Sequence, residues 1–162
     1  MTTSRELCLE RRKADYPAFV RVLKALPKDR LDYKPDPKAR SARQLAFLLA
    51  SEEAGLLALF EKGSIEWKES EPPAELDEIV ALFEKSHAAV NARIEALDDA
   101  GWQRKAKFLM GGEAAWEDSL GEFAWGFFLD QVHHRGQLST YIRPMGGKVP
   151  SIYGPSADDP GR

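Results

Sequence analysis

Four long segments of the chain carry apolar residues at helical spacing, and this pattern constrains the fold more than any other feature. Proline or glycine residues separate the segments, and such residues commonly end helices or begin turns. The third segment is the most regular, because its apolar residues alternate in steps of four and three, as on the seam of a helical bundle. The predicted helices cover residues 4–26, 41–62, 72–97 and 119–143.

Local signals place several ends of the predicted helices. Ser41 and Gln44 form a capping box, in which each side chain accepts a hydrogen bond from the other residue's amide. Gly63 then ends this second helix. Another capping box begins the fourth helix at Ser119. Within the first helix, Pro17 is expected to kink or interrupt the backbone, because proline cannot donate the helical hydrogen bond.

The remaining segments are predicted to be connections. Residues 98–118 lack helical spacing and contain Gly111–Gly112, which indicates a hairpin or a lid. No alternating strand pattern stands out, so we predict an all-α fold, a four-helix bundle whose long connections leave room for crossovers. The chain is expected to form a single domain, residues 1–162, whose tail, residues 145–162, is mostly coil.

The composition argues against several functional classes. The net charge is −3, and lysine and arginine are scattered among acidic residues, so no basic face for nucleic acid is expected. No apolar run approaches the roughly 18 residues of a membrane span, and the polar N-terminus differs from a secretory signal. The single cysteine, Cys8, lies among apolar helix positions and fits a reducing compartment better than a reactive thiol. We therefore expect a cytoplasmic protein without nucleic-acid or membrane partners.

Four polar residues fall where apolar residues are expected on buried helix faces, and they are the candidate metal ligands. Asp130 and His134 are four residues apart on the fourth helix, so their side chains lie one turn apart on one face. Glu52 and His87 hold similar positions on the second and third helices. A buried carboxylate costs on the order of several kcal/mol unless it is paired, protonated or metal-bound. Imidazole and carboxylate donors together suit a divalent ion such as zinc or nickel.

The same residues allow an interpretation without a metal. Hydrogen bonds among them can satisfy their polar atoms, and His87 alone is more typical of a core histidine than of a ligand. Glu52 can also point to solvent beside Glu53. His133 lies about 100° around the helix from His134 and is expected to face another helix or solvent. The aromatic residues near the long connection are expected to belong to the core rather than to a ligand site: Trp102, Trp116, Trp125 and Phe108.

A distinctive set of residues lies in the last predicted helix and its exit: His133–His134–Arg135–Gly136–Gln137–Leu138, Tyr141–Ile142–Arg143, Gly146–Gly147, Val149–Pro150 and Tyr153–Gly154. A second motif is Lys34–Pro35, ahead of the second helix. Together they resemble the DinB/YfiT-like superfamily of small bacterial four-helix proteins. With four helices in the expected order, the resemblance extends over essentially the whole chain.

The resemblance implies a bundle with crossed connections, frequent homodimers and a metal held by three histidines. The three positions fall on Leu48, Asp130 and His134, so only His134 keeps the family's residue type. Leucine cannot bind a metal, and aspartate replaces a nitrogen donor by an oxygen donor. The family's metal-dependent thiol-transfer chemistry is therefore not expected to carry over unchanged.

Two functions follow from this departure. In the first, the chain is a DinB-like bundle with a degenerate metal site, is not an active thiol transferase, and binds a small ligand, with or without a divalent metal. In the alternative, it is a divalent-metal-dependent thiol S-transferase or hydrolase that uses His134 and Asp130, with Glu52 or His87 completing the site. The expected partners are a second copy of the chain and a small molecule or low-molecular-weight thiol. Convergence of the Glu52, His87 and His134 side chains would favour the alternative.

Overall fold

The computed structural model describes residues 2–161, and most of them lie in helices. None of the helices in this range is both long enough and apolar enough to cross a membrane. The helices are α1 (Ser4–Lys24), α2 (Ala42–Lys62), α3 (Leu76–Ala96), the short α4 (Asp99–Trp102) and α5 (Leu120–Ile142). The other elements are a 3-10 turn (Lys28–Arg30) and the strands β1 (Ser64–Glu66), β2 (Lys105–Met110) and β3 (Glu113–Ser119).

The ends of α2 arise from its own sequence. The Ser41 hydroxyl accepts a hydrogen bond from the Gln44 amide at 3.2 Å, and Gln44 Oε1 accepts one from the Ser41 amide at 2.9 Å. Gly63 ends the helix with a φ of 74°, a left-handed conformation that glycine adopts without steric cost. The predicted ends of α2 are therefore confirmed.

Two details of the other helices differ from the prediction. α1 continues without a break through Pro17, because the residues that follow it bury the apolar side chains of Phe19 and Leu23. The third helix begins at Leu76 rather than at Pro72, since Glu75 is extended, with φ −92° and ψ 131°. Residues 67–75 therefore form an irregular connection from β1 to α3. Pro72 and Pro73 favour extended backbone in the residue just before each of them, which is consistent with this irregular connection.

The long helices pack through two groups of buried apolar side chains. α2 packs against α3 and α5, and the main contacts of α1 are also with α3 and α5. One group includes Phe19, Leu45 and Phe83, and the other includes Leu56 and Phe123. Full burial of one such side chain contributes about 1.5–3 kcal/mol relative to its exposure. This packing fixes α2 against α5, the two helices that carry the candidate site.

A three-stranded sheet corrects the prediction of an all-α fold. β1 pairs with β2 in parallel, and β2 pairs with β3 in antiparallel orientation. The β2–β3 turn contains Gly111 and Gly112 with φ values of 63° and 84°, as a tight hairpin turn of this hand requires. The hairpin was one of the two forms predicted for residues 98–118. β1 escaped prediction because three residues are too short to show an alternating pattern.

The end of the chain is held against α1 and α5. The buried Arg135 guanidinium donates a hydrogen bond to Asp15 Oδ2 at 2.9 Å and also contacts the Tyr153 hydroxyl. Arg143 donates to Asp158 Oδ2 at 2.8 Å. Two of the residues that carry the family resemblance, Arg135 and Tyr153, therefore hold the tail in place.

Candidate metal centre

α2 and α5 bring three of the four predicted ligands together. Glu52 lies on α2, and Asp130 and His134 lie one turn apart on α5. His134 Nε2 is 3.5 Å from Glu52 Oε1 and 3.5 Å from Asp130 Oδ1. One potential ligand atom from each residue lies within 4.8 Å of the other two. The group is hereafter called the Glu52 cluster.

Glu52 is the most constrained member of the cluster. The residue is only 3% exposed, and within the part of the chain that the structure describes its Oε2 atom has no hydrogen-bond partner. Burial, and then the negative charge of Asp130, raise the pKa of Glu52 to about 9, although Arg40 acts in the opposite direction. Without a cation, this carboxyl group is therefore neutral at pH 7. The alternative in which Glu52 points to solvent is wrong.

The donors of the Glu52 cluster fit a divalent metal ion. Donor atoms bound at about 2.1 Å to one tetrahedral ion lie roughly 3.4 Å from one another. The two measured separations of 3.5 Å match this spacing and exceed the usual range of a strong hydrogen bond, about 2.7–3.2 Å. The unpartnered Glu52 Oε2 and the 58% exposed Asp130 carboxylate leave oxygen atoms available for an ion. The donor types and the two His134 separations are therefore compatible with a metal site, and the Glu52 and Asp130 oxygens lie within 4.8 Å of each other.

His87, the fourth predicted ligand, lies in a different cluster and does not join the group. Its Nδ1 atom is 2.8 Å from Glu53 Oε1, and Arg12 Nη2 donates to Glu53 Oε2 at 2.7 Å. The His87 ring also stacks on Tyr16, with the ring centroids 4.9 Å apart. The prediction of His87 as a ligand alongside His134 is therefore corrected, because the neighbouring carboxylate of Glu53 engages its ring on the other side of α2. The core-histidine interpretation fits its position.

An open cleft of about 690 Å³ adjoins the Glu52 cluster. Leu48 lies in its wall, at the position where the resemblance implies a histidine, and His133 lies beside His134 at a ring-centroid distance of 5.1 Å. Arg40 is also at the edge of the cleft. The other lining residues are mainly apolar: Trp67, Phe108, Met110, Trp116, Gly126, Phe127 and Leu129.

The aromatic residues predicted as core divide between two environments. Trp102 is buried, and Trp125 donates a hydrogen bond from its indole to the Ser4 hydroxyl at 3.0 Å. Phe108 and Trp116 instead line the cleft, and Trp116 is 36% exposed. Phe108 also packs against the second apolar core group, so the core prediction fails only for the exposed Trp116. No local signal in the sequence shows against which segment the hairpin packs. The sequence therefore did not indicate that Phe108 and Trp116 face the cleft beside the Glu52 cluster.

These features define a mostly helical protein with a carboxylate–histidine group beside an aromatic cleft. The sequence model of the DinB family matches residues 1–161. The chain therefore belongs to the DinB family. A comparison with functionally curated proteins finds none that matches significantly.

Solved structures show the same fold. A DinB-like protein from Bacillus cereus ATCC 10987 is 18% identical, with a TM-score of 0.75 over 90% of this chain and 95% of that one. The DinB-like protein YjoA from Bacillus subtilis is 16% identical, with a TM-score of 0.66 over 86% and 92% of the two chains. A mycothiol-dependent maleylpyruvate isomerase is 14% identical, with a TM-score of 0.58 over 91% of this chain and 64% of that one. At these identities the likeness concerns the fold alone.

Proposed function

We propose that this protein binds one divalent metal ion through Glu52, Asp130 and His134 and holds a small molecule in the adjoining cleft. The observation that carries the proposal is the position of Glu52, a buried carboxyl with an unpartnered oxygen, next to two further donors. Ionisation of a buried carboxyl is unfavourable unless a cation is close. A divalent ion supplies that cation, and the two carboxylates then balance its charge.

The donor set differs from the one that the family resemblance implied. Leu48 has no donor atom, and Glu52, one helical turn later on α2, offers a carboxylate to the same cluster. The proposed site therefore has two carboxylates and one imidazole. Such an oxygen-rich set suits zinc or manganese, and nickel less well than a set of three histidines does. This difference supports a ligand-binding role over unchanged thiol-transfer chemistry.

Different residues of the proposed site would bind the ion and the small molecule. A bound divalent ion supplies Lewis acidity, which polarises an oxygen or sulfur atom of the ligand. Glu52 on α2, with Asp130 and His134 on α5, would hold such an ion from two different helices. The aromatic wall excludes water from one side of the cleft and holds the apolar part of the ligand. His133 lies at the edge of the same cleft.

A second candidate function is a metal-dependent thiol S-transferase or hydrolase that uses the same three residues. The Glu52 cluster favours it over a metal-free protein, because Glu52 supplies the third donor that is missing at Leu48. The fold is also similar to that of a mycothiol-dependent isomerase, although that name describes the other protein. Turnover of a small electrophile with a low-molecular-weight thiol, dependent on added metal, would distinguish this candidate from simple binding.

Thermal unfolding with added metal tests the proposed site. A ligand at 100 times its dissociation constant stabilises the folded state by about 2.7 kcal/mol, which is roughly 5–10 °C for a chain of this size. We expect zinc or manganese to give such a shift in the wild type and none in His134→Ala. His133→Ala is the matched control, because this exposed histidine lies outside the Glu52 cluster. If the metal shifts the melting temperatures of His134→Ala and His133→Ala equally, the proposed ligands are rejected.

We also propose that the four long helices form a bundle with crossed connections. α1 precedes α2 in sequence, yet the main helix partners of both are α3 and α5. Consecutive helices that each pack against the same two other helices need long connections. A homodimer remains part of the proposal as well, and light scattering coupled to size-exclusion chromatography gives the mass that decides it.

A further inference from the structure

We infer that the cleft beside the Glu52 cluster binds a small aromatic carboxylate, with its ring against the aromatic wall and its carboxylate toward the cluster. The carboxylate end of this inference rests on the proposed metal ion. The aromatic end rests on the cleft alone. The two ends can therefore be tested separately.

The aromatic wall is made by side chains from three different elements. Phe108 of β2 stacks on Trp67, with ring centroids 5.7 Å apart and planes 28° apart. Phe108 also meets Phe127 of α5 edge-on at 6.1 Å. Such offset and edge-on arrangements are the ones that aromatic rings prefer, at roughly 4.5–7 Å. A planar ring in the cleft can extend this arrangement, whereas a saturated ring presents no flat face.

Trp116 of β3 also lines the cleft. Its indole rests on α5 at Gly126, where a Cβ atom added to the glycine would lie only 2.6 Å from Trp116 Cη2. Gly126 and Asp130 are four residues apart and share a helix face. The indole therefore packs on α5 one helical turn before Asp130. A ligand ring against Trp116 can thus direct its carboxylate toward the Glu52 cluster.

At the other end of the cleft, a bound ion removes the negative charge that would repel an anion. Ionised Glu52 and Asp130 together balance a divalent ion. Arg40 lies at the edge of the cleft and donates to Glu69 Oε1 at 3.0 Å, so only part of its guanidinium is engaged. A carboxylate can bind the ion and lie near the remaining donors of Arg40. Without the ion, Asp130 repels the same carboxylate.

The size and the mouth of the cleft agree with such a ligand. Sites for small molecules commonly measure about 300–1,000 Å³, and this cleft measures about 690 Å³. Met110 and Leu129 line it and remain 56% and 61% exposed. These exposed apolar side chains offer further contact area to the apolar part of a ligand.

Calorimetric titration with naphthoate and with its saturated counterpart, decahydronaphthoate, tests the aromatic part of the inference. Both carry the same carboxylate on two fused rings. With zinc or manganese present, we expect naphthoate to bind about tenfold more tightly than decahydronaphthoate. This ratio corresponds to the upper end of the free energy that one aromatic contact contributes. Equal affinities, or no binding of either compound to the metal-loaded wild type, would overturn the inference.

Substitutions of tryptophan residues test where the aromatic ring of the ligand binds. Trp116→Leu is expected to remove the preference for naphthoate while leaving the metal-dependent thermal shift unchanged. Trp125→Leu is the matched control, because the Trp125 indole donates to Ser4 and does not line the cleft. An unchanged preference in Trp116→Leu would overturn the proposed position of the ring. If Trp116→Leu does not fold, Phe108→Leu is titrated in its place, with the same expectation.

A neutral probe separates this inference from the metal proposal. Naphthylmethanol has the same rings without a charge, so its binding does not need the ion. In the presence of a chelator, naphthylmethanol is expected to bind the wild type but not Trp116→Leu. This result would support the aromatic part of the inference even if the protein binds no metal. The absence of such binding overturns it. Naphthoate binding that is equally strong in chelator would overturn the placement of the carboxylate at the ion.

Discussion

Glu52 and Glu53 are neighbours on α2, yet they lie in two separate polar clusters with opposite properties. Glu52 joins Asp130 and His134 at the cleft, whereas Glu53 accepts hydrogen bonds from Arg12 on the buried side. Burial and Asp130 raise the pKa of Glu52 to about 9. Burial also acts to raise the pKa of Glu53, but the charges of Arg12 and His87 outweigh it and hold that pKa below its usual value. Glu53 is therefore ionised beside its own cation, whereas Glu52 stays protonated at neutral pH unless a cation binds.

Glu52 is predicted to destabilise the metal-free protein as pH rises. The unfolded carboxyl loses its proton near pH 4.5, whereas the folded one keeps it to about pH 9, so the folded state binds the extra proton between these values. Stability is therefore lost as pH rises through this range. In chelator at pH 8, we expect Glu52→Gln to melt about 5 °C higher than the wild type, because it removes a cost of about 2 kcal/mol for keeping the carboxyl protonated above its unfolded pKa. The difference should shrink at pH 5. Equal pH profiles by differential scanning calorimetry would contradict the burial of Glu52.

Metal binding is predicted to release a proton from Glu52. The carboxyl is neutral at pH 7 without an ion and must ionise to bind one. Titration calorimetry in buffers of different ionisation enthalpy measures this proton, because each buffer adds its own heat. We expect close to one proton per ion from Glu52 at pH 7 and a correspondingly smaller number in Glu52→Gln. No dependence on the buffer would mean that Glu52 is not a ligand.

Arg12 is predicted to be essential for stability but not for the metal. Arg12→Met leaves Glu53 buried without its main cation, and breaking a buried ion pair commonly costs about 3–5 kcal/mol. Chemical denaturation measures that loss. Because the pKa of Glu53 is lowered, the stabilisation is present at neutral pH and is lost as pH falls below about 4.5. The metal-free wild type should therefore approach the variant's stability in acid. A loss that persists unchanged at pH 3 would argue against the ion pair.

Two glycines of α5 provide a matched pair of substitutions. A Cβ atom at Gly126 would lie 2.6 Å from Trp116, whereas in the described chain no atom comes within 4 Å of one at Gly136. Alanine is favoured over glycine in a helix by about 1 kcal/mol. We expect Gly136→Ala to raise the melting temperature by a few degrees. Gly126→Ala should gain less or lose stability and shift the tryptophan emission, since it displaces the indole. The same emission in both variants would contradict the packing of Trp116 on Gly126.

The helices were predictable from the sequence because their signals are local. Apolar spacing and the Ser41 and Gly63 caps act within a few residues, so they place α2 without knowledge of the rest of the chain. Asp130 and His134 were also predictable as a pair, since their four-residue spacing is a property of one helix. The contribution of Glu52 followed from its place on an otherwise apolar helix.

The parts that the sequence left open depend on contacts between distant segments. The apolar spacing singled out Glu52, but it did not show that Glu53 is buried as well or that one faces His134 and the other Arg12, because the partner helices decide those contacts. Predicting His87 as a ligand failed for this reason, since α1 and Glu53 determine its neighbours. β1 is short and pairs with β2 about forty residues later, so its pattern was too weak to detect. The aromatic wall of the cleft was missed together with that sheet.

Metal content measured by mass spectrometry on untagged protein tests the central claim most directly. The wild type and His133→Ala should each carry close to one zinc, manganese or other divalent ion per chain. Glu52→Gln and His134→Ala, purified in parallel, should carry far less. Retention of the metal in Glu52→Gln and His134→Ala, or its absence from wild type even after incubation with excess ion, would contradict a metal centre at Glu52, Asp130 and His134.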